Sequence, residues 1–388
     1  MILIRKAAIA ATVSLLVFGA GCGDTFRPIV LPVIQPGGDP QSNRNAIVLS
    51  NAGPTTVGAT THINVSGDSN VGQVSVGANP VYEALINGSS VFVANAGEST
   101  LTAYTALLPN AGQPITITLP ASSAPNYVFA SSAATLWVSL PGASSVGLVN
   151  LSNDVFIGAI VVGNNPVAIT GTPDASKIYV ANQGDGTVSV ISTLTNLVTS
   201  TVPVGTSPVA MTITADGKTV YVANSGSGTV SAINTATDTA TSLAVGTTPS
   251  SVVFDPNLLR VYVANTGSNT VSVINADSLS AGFNTVANVA VGASPKAVAP
   301  LPDGSRAYVA NSAAGTVSVI NTLNNAVIRT ITVGTTPVSI IASPDSTKIF
   351  VANQGSNNVS VIQTSNDTVV GTIALPAGST PVQVIMTL

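Results

Sequence analysis

Few residues in this sequence could exchange a proton, attack an electrophile or hold a metal. The 388 residues include one histidine, His62, one cysteine, Cys22, and 15 Asp and Glu against 11 Lys and Arg. Histidine is the commonest general acid or base, and a zinc site of the usual His and Cys type cannot be assembled from one of each. No Cys-x-x-Cys-His is present to attach a haem, and no Gly-x-Ser-x-Gly stands in a strand-turn-helix setting. The carboxylate that breaks pattern is Glu83. It lies three residues after Pro80 at a position that is otherwise apolar, close to Tyr82, Tyr104, Tyr127 and Trp137. A carboxylate at an apolar position costs free energy unless it is paired or bound to a cation. This group is therefore the candidate pocket or cation site, with Glu98 and Asp185 as the other acidic contributors. No cofactor is expected, and nothing supports a structural or axial calcium. Hard cations need about six or more oxygens, and these three carboxylates are scattered.

The elements that position them come from a repeat. Ile178-Tyr-Val-Ala-Asn182 recurs as Val220–Asn224, Val261–Asn265, Ala307–Asn311, Ile349–Asn353 and Val91–Asn95, with degenerate copies at Ile47–Asn51 and Leu136–Leu140. Steps of about 41 to 46 residues match one blade of a propeller. Each unit reads as four short strands, A to D, separated by Asp-Gly, Asn-x-Gly and Val-Gly turns. Runs of five or six residues rich in Val, Ile and Thr suit strands and are too short for helices. The fold class is all-β: a β-propeller, most simply of eight four-stranded blades, or seven if the weak first repeat is an add-on. The first repeat starts at its strand B near Ile47, and the chain ends on Pro381–Met386, a strand A without followers. Pairing the two would close the ring and remove both edges.

These motifs resemble the YVTN family of β-propeller repeats, with Ala in place of Thr, over nearly all of residues 46–388. The resemblance implies the fold more than an activity, since propellers host many functions. The aromatic at the second position of the signature (Phe92, Trp137, Tyr179, Tyr221, Tyr262, Tyr308, Phe350) reads as packing between blades. In known propellers the face carrying D-to-A and B-to-C loops usually carries ligands. Here those loops are built from Gly, Ser, Thr, Asn and Pro, with Glu98 and Asp185 as their charges, while the opposite face collects most of the Asp and Lys residues in its turns.

The amino terminus resembles a bacterial lipoprotein signal. Arg5 and Lys6 precede the apolar run Ala7–Phe18, which is too short to span a bilayer, and Gly19-Ala20-Gly21 leads into Cys22. The resemblance implies a signal peptide over 1–21, lipidation of Cys22, a Pro/Gly-rich tether over 22–45 and the propeller over 46–388. A lipid anchor makes the membrane one partner, and Gly23 after the cysteine implies outer-membrane sorting. The net charge of -4 and the absence of basic runs argue against nucleic acid. The function expected is a monomeric, envelope-anchored binding or scaffolding propeller for a protein, peptide or glycan. The alternative is a hydrolase similar to calcium-dependent lactonases.

Overall fold

A computed structural model describes residues 44–106, 113–130 and 134–387. The expected signal peptide, Cys22 and the expected tether up to residue 43 lie outside the described residues. The described chain forms eight antiparallel four-stranded sheets. Blade 4 shows the standard unit: strand A is Pro166–Gly171, strand B Lys177–Asn182, strand C Thr187–Ser192 and strand D Leu197–Pro203, paired in that order. Blades 5 to 8 repeat it from Pro208, Pro249, Pro295 and Pro337. Proline at the head of strand A donates no ladder hydrogen bond, which the first residue of a strand tolerates. In each of these blades the register also slips between that proline and the second residue after it.

The two middle strands are buried on both faces because each blade packs between two others. That is why they read as continuous apolar runs instead of alternating ones. Strand D alternates and is largely exposed, as in Val155–Val161. The seven signature aromatics are all buried, Tyr179, Tyr221, Tyr262, Tyr308 and Phe350 completely so. Each packs into an inter-blade core; Phe350, for example, joins Ala46, Val48, Ile63 and Val384 of blade 1.

Blade 1 is assembled from both ends of the described chain. Thr380–Met386 serves as its strand A and pairs antiparallel with Asn45–Asn51, with Val384 opposite Val48 and a register shift between Leu49 and Ser50. The Asn45 N–H donates to Thr387 Oγ1 at 2.7 Å, and the Thr387 N–H to the Asn45 carbonyl at 2.9 Å. The ring is thus closed at eight blades, as the terminal repeats require, and the seven-blade option falls away.

Candidate functional site

In the regular blades the D-to-A and B-to-C loops are tied together in pairs through the backbone. In blade 4 the Gln183 and Gly184 N–H groups donate to the carbonyls of Asn165 and Asn164. The same double bond recurs from Ser225 and Gly226 to Ser207 and Thr206, from Thr266 and Gly267 to Thr248 and Thr247, and from Gln354 and Gly355 to Thr336 and Thr335. The residue before the strand A proline is left-handed in six blades, with φ between 49° and 54° at Asn79, Asn165, Ser207, Thr248, Ser294 and Thr336. This geometry turns the loop without extra length.

Beneath the loops, the last residue of the signature is a lock as well as a turn former. Asn182 is fully buried, and its Nδ2 donates to Thr187 Oγ1 and Ser189 Oγ at 3.0 and 2.9 Å. Asn224, Asn265 and Asn311 do the same with their own Thr and Ser. The amide fills the space that a side chain on the loop glycine would need. A Cβ on Gly163 would lie 2.7 Å from Asn182 Cγ, and one on Gly292 2.6 Å from Asn311 Cγ. The paired Asn and Val-Gly signals are therefore two halves of one contact. Blade 3 has Leu140 instead of Asn and makes the corner with the 3-10 turn Pro141–Ala143.

Asp185 belongs to this loop architecture. Its Oδ2 accepts from the Asn164 N–H at 2.7 Å, where Ser268 and Ser356 hydroxyls accept from the Thr247 and Thr335 N–H groups at 3.1 Å. It does the job of a serine hydroxyl. Glu98 is exposed in the corresponding loop of blade 2.

Glu83 lies elsewhere. The positions that match it (Val128, Ile169, Met211, Val252, Val298, Ile340 and Val384) are all buried, so this position belongs to the seams between blades. Glu83 itself is fully buried, with no hydrogen-bond partner on either carboxylate oxygen. Its backbone N–H donates to Gln383 Oε1 at 2.8 Å. Burial raises its pKa well above the ordinary carboxylate value, only partly offset by the nearby Leu49 backbone. Burial thus favours the neutral carboxyl over the carboxylate. Blade 1 supplies further polar groups to the same seam. His62 is buried with both ring nitrogens unpartnered, 5.7 Å from the Tyr104 ring, and burial lowers its pKa to about 4. Tyr104 donates to Thr60 Oγ1 at 2.8 Å. His62 stands out in the sequence only as the chain's one histidine, and Thr60 not at all, because their repeat is degenerate and places neither beside Glu83.

The sequence-level cluster therefore divides. Glu83 and Tyr104 are close enough for the carboxylate to raise the tyrosine pKa, after burial itself. Tyr82 stacks on Tyr127 at 4.0 Å, in contact with the apolar core between blades 2 and 3. Trp137 packs against Val146, Ile169 and Ile178 between blades 3 and 4. No group of three His, Cys, Asp or Glu residues arranged to hold a metal occurs among the described residues.

On the opposite face, three of the four ion pairs among the described residues clasp one blade to the next instead of lying within a turn. Lys177 bridges to Asp238 at 2.9 Å, Arg306 to Asp367 at 2.9 Å and Lys348 to Asp68 at 2.7 Å. The last joins blade 8 to blade 1. Tyr179 and Tyr308 donate their hydroxyls to the same Asp238 and Asp367. Among the described residues, the one ion pair inside a single turn joins Lys218 to Asp216 at 3.3 Å.

Comparison with known proteins agrees with this architecture. A family model described as lactonase, 7-bladed β-propeller, matches residues 241–382, which is less than half of the chain. No curated protein matches. Among solved structures, the dihydro-heme d1 dehydrogenase NirN in complex with DHE superposes with a TM-score of 0.70 at 10% identity, covering 89% of this chain and 75% of that one. Apo AztD from Citrobacter koseri gives 0.67 at 11% identity, covering 89% and 97%. A functionally unknown protein from Desulfotomaculum acetoxidans gives 0.57 at 17% identity, covering 87% and 99%. At these identities the likeness is one of fold.

Proposed function

We propose that the chain is a non-catalytic binding propeller, anchored at the cell envelope through a lipidated Cys22, that engages an uncharged polar ligand, a glycan or a peptide, on its D-to-A and B-to-C face. The observation that supports this most is the repetition of rigid, backbone-tied loop pairs offering Ser, Thr, Asn and main-chain groups to solvent. A pre-formed surface loses little entropy on binding. Equally spaced hydroxyls and amides suit a ligand that itself repeats.

The rival reading, a metal-dependent lactone hydrolase, draws on the family model that covers residues 241–382. Within that span the carboxylates are occupied by turns and clasps. Asp255 accepts from the Asn257 N–H, Asp277 from Leu279, Asp303 from Ser305 and Asp345 from Thr347, and Asp367 holds Arg306 and Tyr308. These are dispersed over turns, whereas a hydrolytic calcium centre needs several oxygens converging on one ion.

The test is a screen against envelope glycans and peptides. Replacing Thr206, Thr247 and Thr335 together by Val should abolish binding, and Asp216→Ser on the opposite face should leave it intact. The reverse pattern would overturn the placement, and calcium-dependent turnover of a lactone that is lost in Glu83→Gln would overturn the non-catalytic reading. For the anchor, Cys22→Ser should abolish acylation and release the protein in soluble form; continued membrane retention would count against it.

A further inference from the structure

The clasps of the turn face follow one rule. A cation two residues before the signature aromatic crosses to the next blade. There it donates to a backbone carbonyl and to a side-chain oxygen three residues further on. Lys177 Nζ donates to the Thr235 carbonyl at 2.8 Å and to Asp238; Arg306 donates to the Thr364 carbonyl at 2.7 Å and to Asp367; Lys348 donates to the Val65 carbonyl at 2.7 Å and to Asp68. Arg260 reaches the Thr322 carbonyl and Asn325. The receiving Asp is always left-handed, with φ of 48° at Asp68, 52° at Asp238 and 53° at Asp367.

Between blades 2 and 3 the receiving half is present and the donating half is missing. Asp154 has φ 54° and stands three residues after Leu151, as Asp238 stands after Thr235. The residue that should supply the cation is Ser90, two before Phe92, and Phe92 lacks the hydroxyl that Tyr179 and Tyr308 give to their Asp. Asp154 forms no ion pair or side-chain hydrogen bond with any described residue. No Lys or Arg occurs anywhere from residue 45 to residue 176, so blades 1 to 3 cannot neutralise it from within. Where the lysine stem would run, there is instead a cavity of about 220 Å³, lined by Ser90, Phe92, Ile86, Ile115, Leu151 and Asp154. Partial burial raises the Asp154 pKa above its ordinary value, as expected of a carboxylate lacking a partner.

We infer that this cavity is a binding site for a primary alkylammonium group, whose charge takes the place of the missing lysine between Asp154 and the Leu151 carbonyl while its stem lies against Phe92 and Ile115. The site is independent of the loop face proposed above and lies on the opposite side of the ring. Its chemistry selects a cation that donates several hydrogen bonds and carries a short apolar tail. The lysine side chain of a partner and a free alkylamine share that chemistry.

The experiment is a titration of the intact propeller with n-butylammonium, read by NMR shifts and calorimetry, with n-butanol as the uncharged control. Saturable binding of the amine alone is expected, weakened by about tenfold or more in Asp154→Asn, since a charge-assisted contact is lost. Asparagine tolerates the left-handed backbone, so the variant keeps its turn. Ser90→Lys should restore the clasp, block the amine and raise the melting temperature. Nα-acetyl-lysine amide then separates the sources: binding comparable to butylammonium indicates a partner's lysine, and binding of butylammonium alone indicates a free amine. Equal binding of butanol and butylammonium, unchanged affinity in Asp154→Asn, or unimpaired binding in Ser90→Lys would each overturn the assignment.

Discussion

Blades 4 to 8 and blades 1 to 3 are built on one plan and stabilised differently. In the later blades each seam combines a buried aromatic, an aliphatic filling and, in most cases, a clasp between a cation and an oxygen of the next blade. In the earlier blades the cations disappear and polar groups move inside. His62, Glu83 and Tyr104 occupy the seam between blades 1 and 2, and the Tyr82–Tyr127 pair lies between blades 2 and 3. A repeat array is stable roughly as the sum of its units and their nearest-neighbour interfaces. Strong seams in one arc can therefore sustain weaker ones in the other, and those are free to accumulate groups with chemistry.

The largest effect that would sharpen this comparison is expected at the junction of the two arcs. Removing residues 380–388 takes away strand A of blade 1 and exposes the Asn45–Asn51 edge, so the cooperative thermal transition should be lost; a preserved transition by circular dichroism would show that closure is dispensable. Within the regular arc, Tyr308→Ala should cost roughly 3–5 kcal/mol in denaturant unfolding, as removal of a buried aromatic does, and an effect below about 1 kcal/mol would contradict the seam model.

In the irregular arc the signature is pH dependence. His62 is neutral in the fold, with its pKa lowered from 6.5 to about 4. Between those values the unfolded chain binds a proton that the folded chain does not. Stability should fall by about 3 kcal/mol as pH drops through that window, and His62→Phe should flatten this limb. Glu83 acts in the opposite sense. With its folded pKa raised above the ordinary 4.5, the folded state holds its proton longer, and stability is lost as pH rises above that value. Glu83→Leu should remove this loss and raise stability at neutral pH by about 1–3 kcal/mol; destabilisation at neutral pH would instead reveal a partner for the carboxyl. The smallest effect is expected at the clasps. Lys348→Met should cost about 1 kcal/mol, since the pair is only partly buried, and less at high salt if screening reaches it.

The sequence by itself determined the repeat and the closing strand, because these follow from local patterns: β-branched runs of fixed length, turns that need Asn, Asp or Gly, and a strand missing at one end and spare at the other; the choice of eight blades over seven came with the pairing of Thr380–Met386 to Asn45–Asn51. It also marked the aromatic stripe as core, since seven residues at one position in a period of about 43 residues have one recurring environment. Only the tertiary structure decided what the singular residues do. Glu83 reads in the sequence as part of a pocket or cation site, yet it is sealed in a seam, because strand A turns alternate residues toward neighbouring blades. Asp185 reads as an acidic contributor to that site and is tied to a loop amide. Lys177 and Asp174 lie in one turn, but Lys177 is spent on Asp238 about sixty residues along the chain. The vacant partner of Asp154 emerges only once those clasps are known. Each of these depends on which blade lies beside which and how far a side chain reaches across the seam, and no local pattern encodes that distance.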